Sequence, residues 1–437
     1  MVRELKHTEI GDIPVDWELQ TFDETFRVIS NNTLSRENLN NRGGAVRNIH
    51  YGDILTKFPE VLDCNEEEIP YVNELSLLSS STQLLQDGDI VVADTAEDET
   101  VGKVIEVQNL GDSKLVAGLH TIPCRVKKGE FAPGWLGYYM NSDLFHNQIL
   151  PYITGIKVSS ISKGAISETL ILVPPFDEQE KIVQSLNKIQ LLMTAETKVV
   201  NKIKLVKNGC LSKMFPQKDD TVPEMRLPGF TEAWEQRKLI DLVDVLDGDR
   251  GKNYPTSDDF DISGHTLFLN ASNVTNDGFL FQDNQFITEE KSNSMGNGKL
   301  EEDDIVVTSR GSLGHIAWYN ADISSFVPYA RINSGMLILR NKKEIETEYL
   351  YHFMKSSKGQ SQISFISFGS AQPQLTKKGV EDLEVILPTR RDEQVQLGHY
   401  FSNLDHLITL HQCKCDKYSN IKKGMMSDLL TGEIRLV

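Results

Sequence analysis

The chain of 437 residues is long enough for two or three domains, and its 39% hydrophobic and 25% charged residues are typical of a globular protein. It has no 18-residue apolar run and no apolar segment behind Met1, so we expect no membrane helix, no signal peptide and a cytoplasmic location. The formal charge of −18 disfavours a free-standing protein that binds nucleic acid without sequence preference. Five scattered cysteines with no C-x-x-C spacing predict reduced thiols and no metal site.

Residues 1–175 are predicted to form an N-terminal arm followed by a mixed α+β domain. A Gly/Pro turn leads to Trp17, which we interpret as a packing anchor. Short β-rich runs follow, the clearest at 89–93 and 101–107, and an amphipathic stretch at 134–148 predicts a helix. A strand at 169–173 closes the domain.

Residues 176–215 are predicted to form one long helix, because they lack proline and carry apolar residues at steps of three and four. The seam is as narrow as that of a coiled coil, and its phase breaks near Glu196. A helix on the order of 50 Å long at 1.5 Å per residue needs a partner helix to be stable. The seam residues are Ile182, Leu186, Ile189, Met193, Val199, Ile203, Val206 and Cys210.

The remaining chain repeats this plan. A polar linker at 216–226 precedes a second domain at 227–390, which again opens with a Gly/Pro turn and a tryptophan, Trp234. A second long helix is predicted from about Arg391 to Leu430 within the segment 391–437, followed by a short tail, and it supplies the partner for the first helix. Its seam residues are Leu397, Phe401, Leu404, Ile408, His411, Cys415, Tyr418, Met425 and Leu429.

Short motifs recur at one constant offset of 215 residues, which indicates an internal duplication. Asp-Glu-Gln occurs at 177–179 and at 392–394, at the start of each long helix. Asp-Ile-Val-Val occurs at 89–92 and at 304–307. The matching pairs Lys163-Gly164 with Lys378-Gly379, and Gly209 with Gly424, keep the same offset. Each copy is therefore a globular region followed by a long helix.

Motifs for catalysis are incomplete. The segment 173–176 resembles the Asn/Asp-Pro-Pro-Tyr/Phe loop of amino-methyltransferases, but Val173 cannot hydrogen-bond an amino group. The stretch 248–253 lacks the spacing of a P-loop, and no glycine fingerprint for a nucleotide cofactor follows a strand. Glu289-Glu290-Lys291 has the end of a nuclease motif without its preceding Pro-Asp strand, and the histidines form no ligand pair. These absences predict a protein without catalytic residues, cofactor or metal.

Two basic features each allow a structural and a functional interpretation. The loop 247–255 is either a solvated turn or a loop that contacts bases and phosphates. The lysines near the end of each long helix either complement the helix dipole or form a stripe facing phosphates. These lysines are Lys198, Lys202, Lys204, Lys207 and Lys213 in the first helix and Lys218 just after it, and Lys414, Lys417, Lys422 and Lys423 in the second helix.

The motif order resembles that of the specificity subunits of Type I restriction-modification systems. The resemblance covers nearly the whole chain and is carried by the hinge segments 174–181 and 388–394, the turn 227–234 and the closing stretch 424–432. In this chain, Thr389-Arg390-Arg391 replaces a proline-rich second hinge. The resemblance implies an α+β fold in which two mixed α/β target recognition domains are separated by two long antiparallel helices, a coiled-coil spacer.

The resemblance also implies a non-catalytic function: recognition of a bipartite, asymmetric double-stranded DNA target, one half by each domain. The helices would fix the separation of the half-sites. The implied partners are modification subunits, two in number, which carry S-adenosylmethionine and methylate adenine, and restriction subunits with translocase and nuclease activity. Partner subunits would supply cationic surface that this acidic chain lacks.

Candidate DNA-binding residues are chosen by residue type and loop position, since they cannot be transferred from the family motifs. We expect about half of them to contact DNA. They are Arg42, Arg47, Asn48, Lys103, Lys157 and Ser159 in the first domain, and Arg250, Lys252, Asn253, Arg310, Ser312, Gln372 and Gln374 in the second.

Two other functions remain open from the residues alone. The charge of −18 also suits an acidic interaction scaffold or DNA mimic that binds a restriction-modification enzyme, and competition with duplex DNA would separate this from DNA recognition. A nicking or modifying enzyme with an unrecognised site is the other, and DNA modification by the purified chain alone would favour it.

Overall fold

The computed structural model describes residues 4–155, 157–217, 220–367 and 374–436, with the backbone alone at position 367. The chain divides into two compact units. Unit 1 consists of Met1–Glu196 and Lys414–Val437, and unit 2 consists of Thr197–Cys413. Elements are numbered here in chain order.

Two long helices carry the predicted spacer. They are α6 (Phe176–Lys213) and α13 (Arg391–Leu430), so the sequence placed both with end errors of at most two residues. In unit 1 the start of α6 packs on the end of α13, and in unit 2 the end of α6 packs on the start of α13. In each unit the pairing is antiparallel: Lys422 contacts Gln190 in unit 1, and Lys207 contacts Asp405 in unit 2.

The globular part of unit 1 is built from short strands and helices. Its central sheet has the order β4-β13-β9-β11-β7, and a second sheet has the order β12-β6-β8-β5. The strands are β1 (Leu5–Thr8), β2 (Gly11–Pro14), β3 (Glu18–Thr21), β4 (Phe26–Val28), β5 (Leu39–Asn40), β6 (Arg47–Ile49), β7 (Val61–Asp63), β8 (Tyr71–Val72), β9 (Ile90–Ala93), β10 (Thr95–Ala96), β11 (Val104–Gln108), β12 (Leu115–Ala117), β13 (Thr121–Val126), β14 (Ser159–Ser160) and β15 (Leu170–Val173). The short helices are α1 (Phe22–Thr25), α2 (Tyr51–Thr56), α3 (Trp135–Tyr139), α4 (Asp143–Ile149) and α5 (Lys163–Ser167).

Unit 2 repeats this topology. Its central sheet has the order β17-β25-β22-β23, and the parallel pair β18-β24 corresponds to β6-β12 of unit 1. The strands are β16 (Trp234–Lys238), β17 (Val243–Asp247), β18 (Thr266–Leu269), β19 (Val274–Thr275), β20 (Gly278–Phe279), β21 (Phe286–Ile287), β22 (Asp304–Thr308), β23 (Ile316–Tyr319), β24 (Ala330–Ile332), β25 (Met336–Asn341) and β26 (Glu384–Pro388). The short helices are α7 (Leu239–Leu242), α8 (Glu289–Ser294), α9 (Ala321–Phe326), α10 (Thr347–Lys355), α11 (Ser357–Ser367) and α12 (Lys377–Glu381).

The predicted duplication is therefore visible in strand pairing as well as in sequence. In unit 1, β3 pairs antiparallel with β15 just before α6 begins, and in unit 2, β16 pairs antiparallel with β26 just before α13 begins. The repeated Asp-Ile-Val-Val motif forms the buried central strands β9 and β22. Such continuous apolar runs are expected of strands covered on both faces.

The repeated Asp-Glu-Gln motif ties each long helix to its own globular region. Gln179 accepts a hydrogen bond from the amide of Ala132 and donates one to the carbonyl of Pro174 (2.8 Å). Gln394 likewise accepts from the amide of Glu346 and donates to the carbonyl of Pro388 (2.8 Å). The motif is a pair of structural anchors at the helix start.

The glutamate of the motif is buried in an ion pair. In unit 1, Glu178 is 2% exposed and accepts hydrogen bonds from Trp17 Nε1 (2.9 Å) and from Arg435 Nε (2.6 Å) in the C-terminal tail. In unit 2, Glu393 is 0% exposed and accepts from Trp234 Nε1 (3.3 Å) and Arg226 Nε (2.7 Å). Both tryptophans are buried, as the packing-anchor interpretation predicts.

Glu178 lies in the first turn of α6, where an acid is favoured by the helix dipole. The side chain is buried, because Arg435 neutralises its charge and the indole of Trp17 satisfies one of its oxygens. The tail 431–436 and the segment ending at Arg226 are thus structural parts of their units.

The predicted seam is correct in α13 and correct at six of its eight positions in α6. The seam residues of α13 are all buried or half-buried. In α6, however, Val199 and Val206 are exposed, while Val200, Lys207 and Leu211 are buried in their place. The seam shifts by one residue because a lysine occupies a buried position opposite Asp405.

Candidate nucleic-acid interface

In unit 2, loops from several strands meet at the turn 333–335. The Arg250 side chain, on the loop after β17, donates a hydrogen bond to the carbonyl of Ser334 (3.2 Å). The amides of Ser309 and Arg310, at the end of β22, both donate to the carbonyl of Gly335. Arg250 and Arg310, predicted from distant parts of the sequence, are therefore brought to one loop cluster, and both are exposed.

The loop 247–255 is a fixed structure. The carboxylate of Asp249 accepts from the amides of Gly251 and Gly296 (both 2.6 Å), and these hydrogen bonds lower the pKa of that carboxyl below its usual value. Asn253 donates to the carbonyl of Ser294 (2.6 Å), so its amide group is already engaged. Lys252 is exposed at the tip. The loop thus presents Arg250 and Lys252 on a preorganised backbone.

Arg310 and Ser312 lie on a tight turn. Gly311 and Gly314 adopt φ of +74° and +76°, a conformation that favours glycine. The hydroxyl of Thr308 donates to the carbonyl of Ser312, which closes the turn. The side chains of Arg310 and Ser312 are both exposed on this turn.

Gln374 extends the same cluster. It is exposed, and the amide of the next residue, Leu375, donates to the carbonyl of Ser309 (3.0 Å). Gln372, the other glutamine predicted here, lies outside the described residues.

Arg331 in β24, which was not predicted from the sequence, contacts the segment 292–297 that also binds Asp249 of this cluster. Its guanidinium is buried and donates to Ser292 Oγ (2.9 Å) and to the carbonyls of Gly296 and Asn297. Burial lowers the pKa of Arg331. A buried arginine in an apolar strand leaves little signal in sequence.

Unit 1 builds the same cluster at the equivalent positions. The amide of Asp94 donates to the carbonyl of His120, as Ser309 does to Gly335 in unit 2, and both residues of this pair keep the offset of 215. Ser159 pairs with Ala96 next to this turn, and Lys157 is exposed. Arg42 is exposed on the loop between β5 and β6.

Three further residues of the unit 1 cluster were missed. Thr95, the positional equivalent of Arg310, lies 3.2 Å from the ring of His120 through its hydroxyl. Tyr51 packs edge-on against His120. Applying the offset of 215 to Arg310 would have identified Thr95 from sequence alone.

A charged pair borders the unit 1 cluster. Arg36 binds Asp53 through two hydrogen bonds (2.9 and 2.7 Å). His50 caps α2 by accepting from the amide of Gly52, and burial followed by the charge of Arg36 lowers the pKa of this imidazole. His50 is therefore neutral near pH 7.

Three residues predicted in unit 1 occupy structural positions. Arg47 is 9% exposed and donates to the carbonyl of Cys64, and Asn48 is 0% exposed and accepts from Asn32. Lys103 is half-buried, donates to the carbonyls of Leu55 and Phe58, and has a pKa lowered by burial. In this structure the polar groups of these three side chains make contacts within the domain.

The lysine stripe is also interrupted. Lys207 and Lys422, which are equivalent at the offset of 215, are 8% and 6% exposed. Lys207 pairs with Asp405, while Lys422 pairs with Glu60 and donates to Gln190 (2.8 Å). These two lysines hold the helix pair and do not face solvent. Lys218 lies outside the described residues.

Within the described part of the chain, no group of three or more His, Cys, Asp or Glu side chains is arranged to hold a metal ion. Among those same residues, no helix is long and apolar enough to cross a membrane.

Comparison with known proteins shows the family. The model of the Type I restriction modification DNA specificity domain matches residues 14–205 and again residues 231–417. These matches span most of the chain, so the chain belongs to the specificity subunits of Type I restriction-modification systems. It is a DNA-binding, non-catalytic subunit, and the resemblance proposed from the hinge motifs is confirmed.

Two curated relatives come from Methanocaldococcus jannaschii. The putative type I restriction enzyme MjaX specificity subunit is 23% identical over 441 residues, which cover 99% of this chain and 96% of the relative. The type I restriction enzyme MjaVIII specificity subunit is 23% identical over 289 residues, 64% of this chain and 66% of the relative.

Two solved structures share the fold. The S subunit of a type I restriction-modification system from M. genitalium aligns with a TM-score of 0.58 and 15% identity, covering 98% of this chain and 99% of the other. A chain from a study of complex assembly and conformational transition of the type I R-M system aligns with a TM-score of 0.51 and 14% identity, covering 97% and 99%. The predicted α+β fold with two repeated domains and long helices is confirmed.

Proposed function

We propose that each unit reads one half of a bipartite, asymmetric DNA target through its loop cluster. The supporting observation is the pair of equivalent clusters, each closed by the same hydrogen bond between the end of the central strand and the following turn. Their side chains differ: unit 2 presents Arg250 and Arg310, whereas unit 1 has Thr95 and His120 near its turn. Two equivalent turns with different side chains suit two different half-sites.

The proposed recognition domains span 1–175 and 227–390, with helical segments at 176–215 and 391–437 and a connection at 216–226. The residues proposed to contact DNA in unit 2 are Arg250, Lys252, Arg310, Ser312 and Gln374. In unit 1 they are Arg42, Lys157, Ser159 and Thr95. Seven of these residues are exposed, while Thr95 and Ser159 are half-buried beside the unit 1 turn. Loops that are already held by hydrogen bonds lose little entropy on binding, which supports this choice.

We propose that modification subunits dock on the long helices, two for each chain. In unit 1, Leu192 of α6 and Ile421 of α13 are 45% and 38% exposed. The equivalent residues of unit 2, Leu407 and Val206, are 40% and 46% exposed. Exposed apolar side chains repeated on both helix pairs support two equivalent docking surfaces.

The proposed partners also explain how a chain with a large negative charge can approach DNA. A charge of −18 opposes close approach to DNA unless bound subunits contribute cationic surface. In this proposal S-adenosylmethionine binds to the modification subunits, and restriction subunits join the same assembly.

The test replaces equivalent residues of the two clusters by alanine, one at a time, in the assembled methyltransferase. Arg310→Ala should relax recognition at one half-site by about 1–3 kcal/mol per lost base contact, while Thr95→Ala should affect only the other half-site. Methylation of a randomised target library, read by sequencing, measures both. Lys238→Ala is the control, because it removes one positive charge from an exposed ion pair in β16.

Three outcomes separate the possibilities. Relaxation at one half-site supports base recognition by the cluster. Equal weakening at every sequence would mean that Arg310 contacts phosphate. An assembly whose partner binding is competed by duplex DNA, with no sequence-specific methylation, would favour the acidic scaffold or DNA mimic.

A further inference from the structure

Unit 2 contains an open groove of about 1090 Å³ between its helix pair and its globular part. On the helix side it is lined by Lys207, Leu211 and Ile408. On the opposite side lie the aromatic rings of Phe279 and Trp318. The groove is large enough for several side chains of a peptide segment.

Unit 1 fills the corresponding space with its own chain. The segment between β6 and β7 includes α2 and continues to Glu60, whose carbonyl accepts from the amide of Glu106 and whose carboxylate binds Lys422 of α13. In unit 2 the segment between β18 and β19 is only residues 270–273. The groove therefore results from a shorter connection in the second copy.

The strand register shows which residue of unit 2 takes the position of Glu106 of unit 1. Ile305 faces Trp318 in unit 2 as Ile90 faces Glu106 in unit 1. Glu106 is 2% exposed and bound by the amides of Gly134 and Gly137, whereas the Trp318 ring borders the groove. The equivalent of a buried structural acid is thus an accessible aromatic surface.

The cations of the groove are already engaged. Lys207 pairs with Asp405, and Lys204 lies 4.0 Å from Asp277. Lys355 donates to the hydroxyl of Tyr351, and burial lowers the pKa of Lys355. Each of these three lysines therefore already has a polar partner within the protein.

Three carboxylates in the groove have no cationic partner among the described residues. Glu302 accepts from Ser324 Oγ (2.9 Å), Asp303 accepts from Trp318 Nε1 (3.2 Å), and Asp322 lies in the first turn of α9. All three line the groove, and Asp303 contacts Trp318. Carboxylates next to an aromatic face suit a lysine or arginine side chain, and they repel nucleic-acid phosphate.

We propose that this groove receives a lysine- or arginine-bearing segment of a modification subunit, once per chain. The inference rests on the proposed recruitment of modification subunits and adds a contact that unit 1 does not offer. A cationic segment fits this groove because it complements the charges of Glu302, Asp303 and Asp322 and can pack on the face of Trp318. The modification subunit on unit 2 is accordingly held more tightly than the one on unit 1.

The experiment titrates the full-length chain with its purified modification subunit and counts bound subunits by native mass spectrometry. The test variant E302Q/D303N/D322N removes three negative charges while keeping hydrogen-bond acceptors for Ser324 and Trp318. The control E66Q/E67Q/E68Q removes the same charge from the loop after β7 in unit 1. Thermal unfolding verifies that both variants are folded.

The test variant should weaken one of the two binding steps by about tenfold or more and reduce its salt dependence, while the control matches the wild type. A photo-reactive side chain at Asn320 should cross-link to a lysine- or arginine-containing peptide of the modification subunit. Equal affinities for test and control variants, or cross-links to DNA or to a restriction subunit, would overturn the inference. If the wild-type chain binds no modification subunit, the proposed recruitment fails instead.

Discussion

Arg435 offers the sharpest test of how the chain is held together, because one side chain near the C-terminus neutralises a buried acid near the start of α6. Glu178 is 2% exposed and receives Arg435 Nε at 2.6 Å and a second guanidinium nitrogen at 2.7 Å. Its other donors are Trp17 Nε1 at 2.9 Å and the amide of Leu436 at 3.2 Å. Arg435→Met removes the charge and leaves the carboxylate buried.

The expected cost follows from burial. Truncating one partner of a buried ion pair destabilises a protein by about 3–5 kcal/mol, since the remaining charge is uncompensated. Arg435 also binds Asp16, but this carboxylate is 47% exposed, so its loss adds less than about 1 kcal/mol. We therefore expect unit 1 to lose about 3–5 kcal/mol.

Hydrogen–deuterium exchange measures this loss locally. Peptides around Trp17 and the start of α6 should exchange faster in Arg435→Met, while peptides around Trp234 should be unchanged. Arg226→Met is the matched variant, because it leaves Glu393 buried in unit 2 and should produce the opposite pattern.

A double-mutant cycle tests the charge argument itself. Glu178→Gln keeps an acceptor for the Trp17 indole but carries no charge, so in the Arg435→Met background it should recover about 2–3 kcal/mol. A loss below about 1 kcal/mol in Arg435→Met, or additive effects of the two substitutions, would refute the reasoning.

Three further predictions concern two buried lysines, one carboxylate and one buried glycine. Lys422→Met should cost unit 1 about 2–3 kcal/mol, because it leaves Glu60, which is 19% exposed, without its cation. Lys207→Met should cost unit 2 only about 1 kcal/mol, because Asp405 is 36% exposed. Urea unfolding followed by hydrogen exchange in each unit measures both losses, and a larger loss for Lys207→Met would contradict the prediction. Hydrogen bonds from Thr256, together with Lys291, lower the pKa of Asp259 to about 2. The contribution of Asp259 to stability is therefore full above its ordinary pKa and is lost as the pH falls toward 2. An NMR titration of the carboxyl group measures the pKa, and Lys291→Met should raise it. Gly137→Ala should destabilise unit 1 by about 1–3 kcal/mol, because the new Cβ would lie 2.4 Å from the carbonyl oxygen of Glu60. Thermal unfolding measures this loss, and an unchanged melting temperature would show that the backbone of Glu60 can move.

Periodicity and repetition in the sequence determined the large-scale organisation. Steps of three and four located α6 and α13, and the constant offset of 215 residues revealed two copies with one topology. These signals are local or exactly repeated, so they survive without knowledge of tertiary contacts. The family resemblance rested on the same hinge motifs.

Long-range contacts decided the rest. The sequence could not tell that Glu178 is neutralised by Arg435, since 257 residues separate them. Nor could it distinguish the exposed Arg310 from the buried Arg47, because both are arginines at the ends of β-rich segments.

The same limit explains the error in the α6 seam and the place of the groove. An apolar pattern assigns Val206 to the interface and Lys207 to solvent, but Asp405 on the partner helix makes the lysine the buried residue. The groove of unit 2 depends on a short connection between β18 and β19 relative to its counterpart in unit 1. Burial and charge pairing are properties of neighbours in space, and only the tertiary structure determines those neighbours.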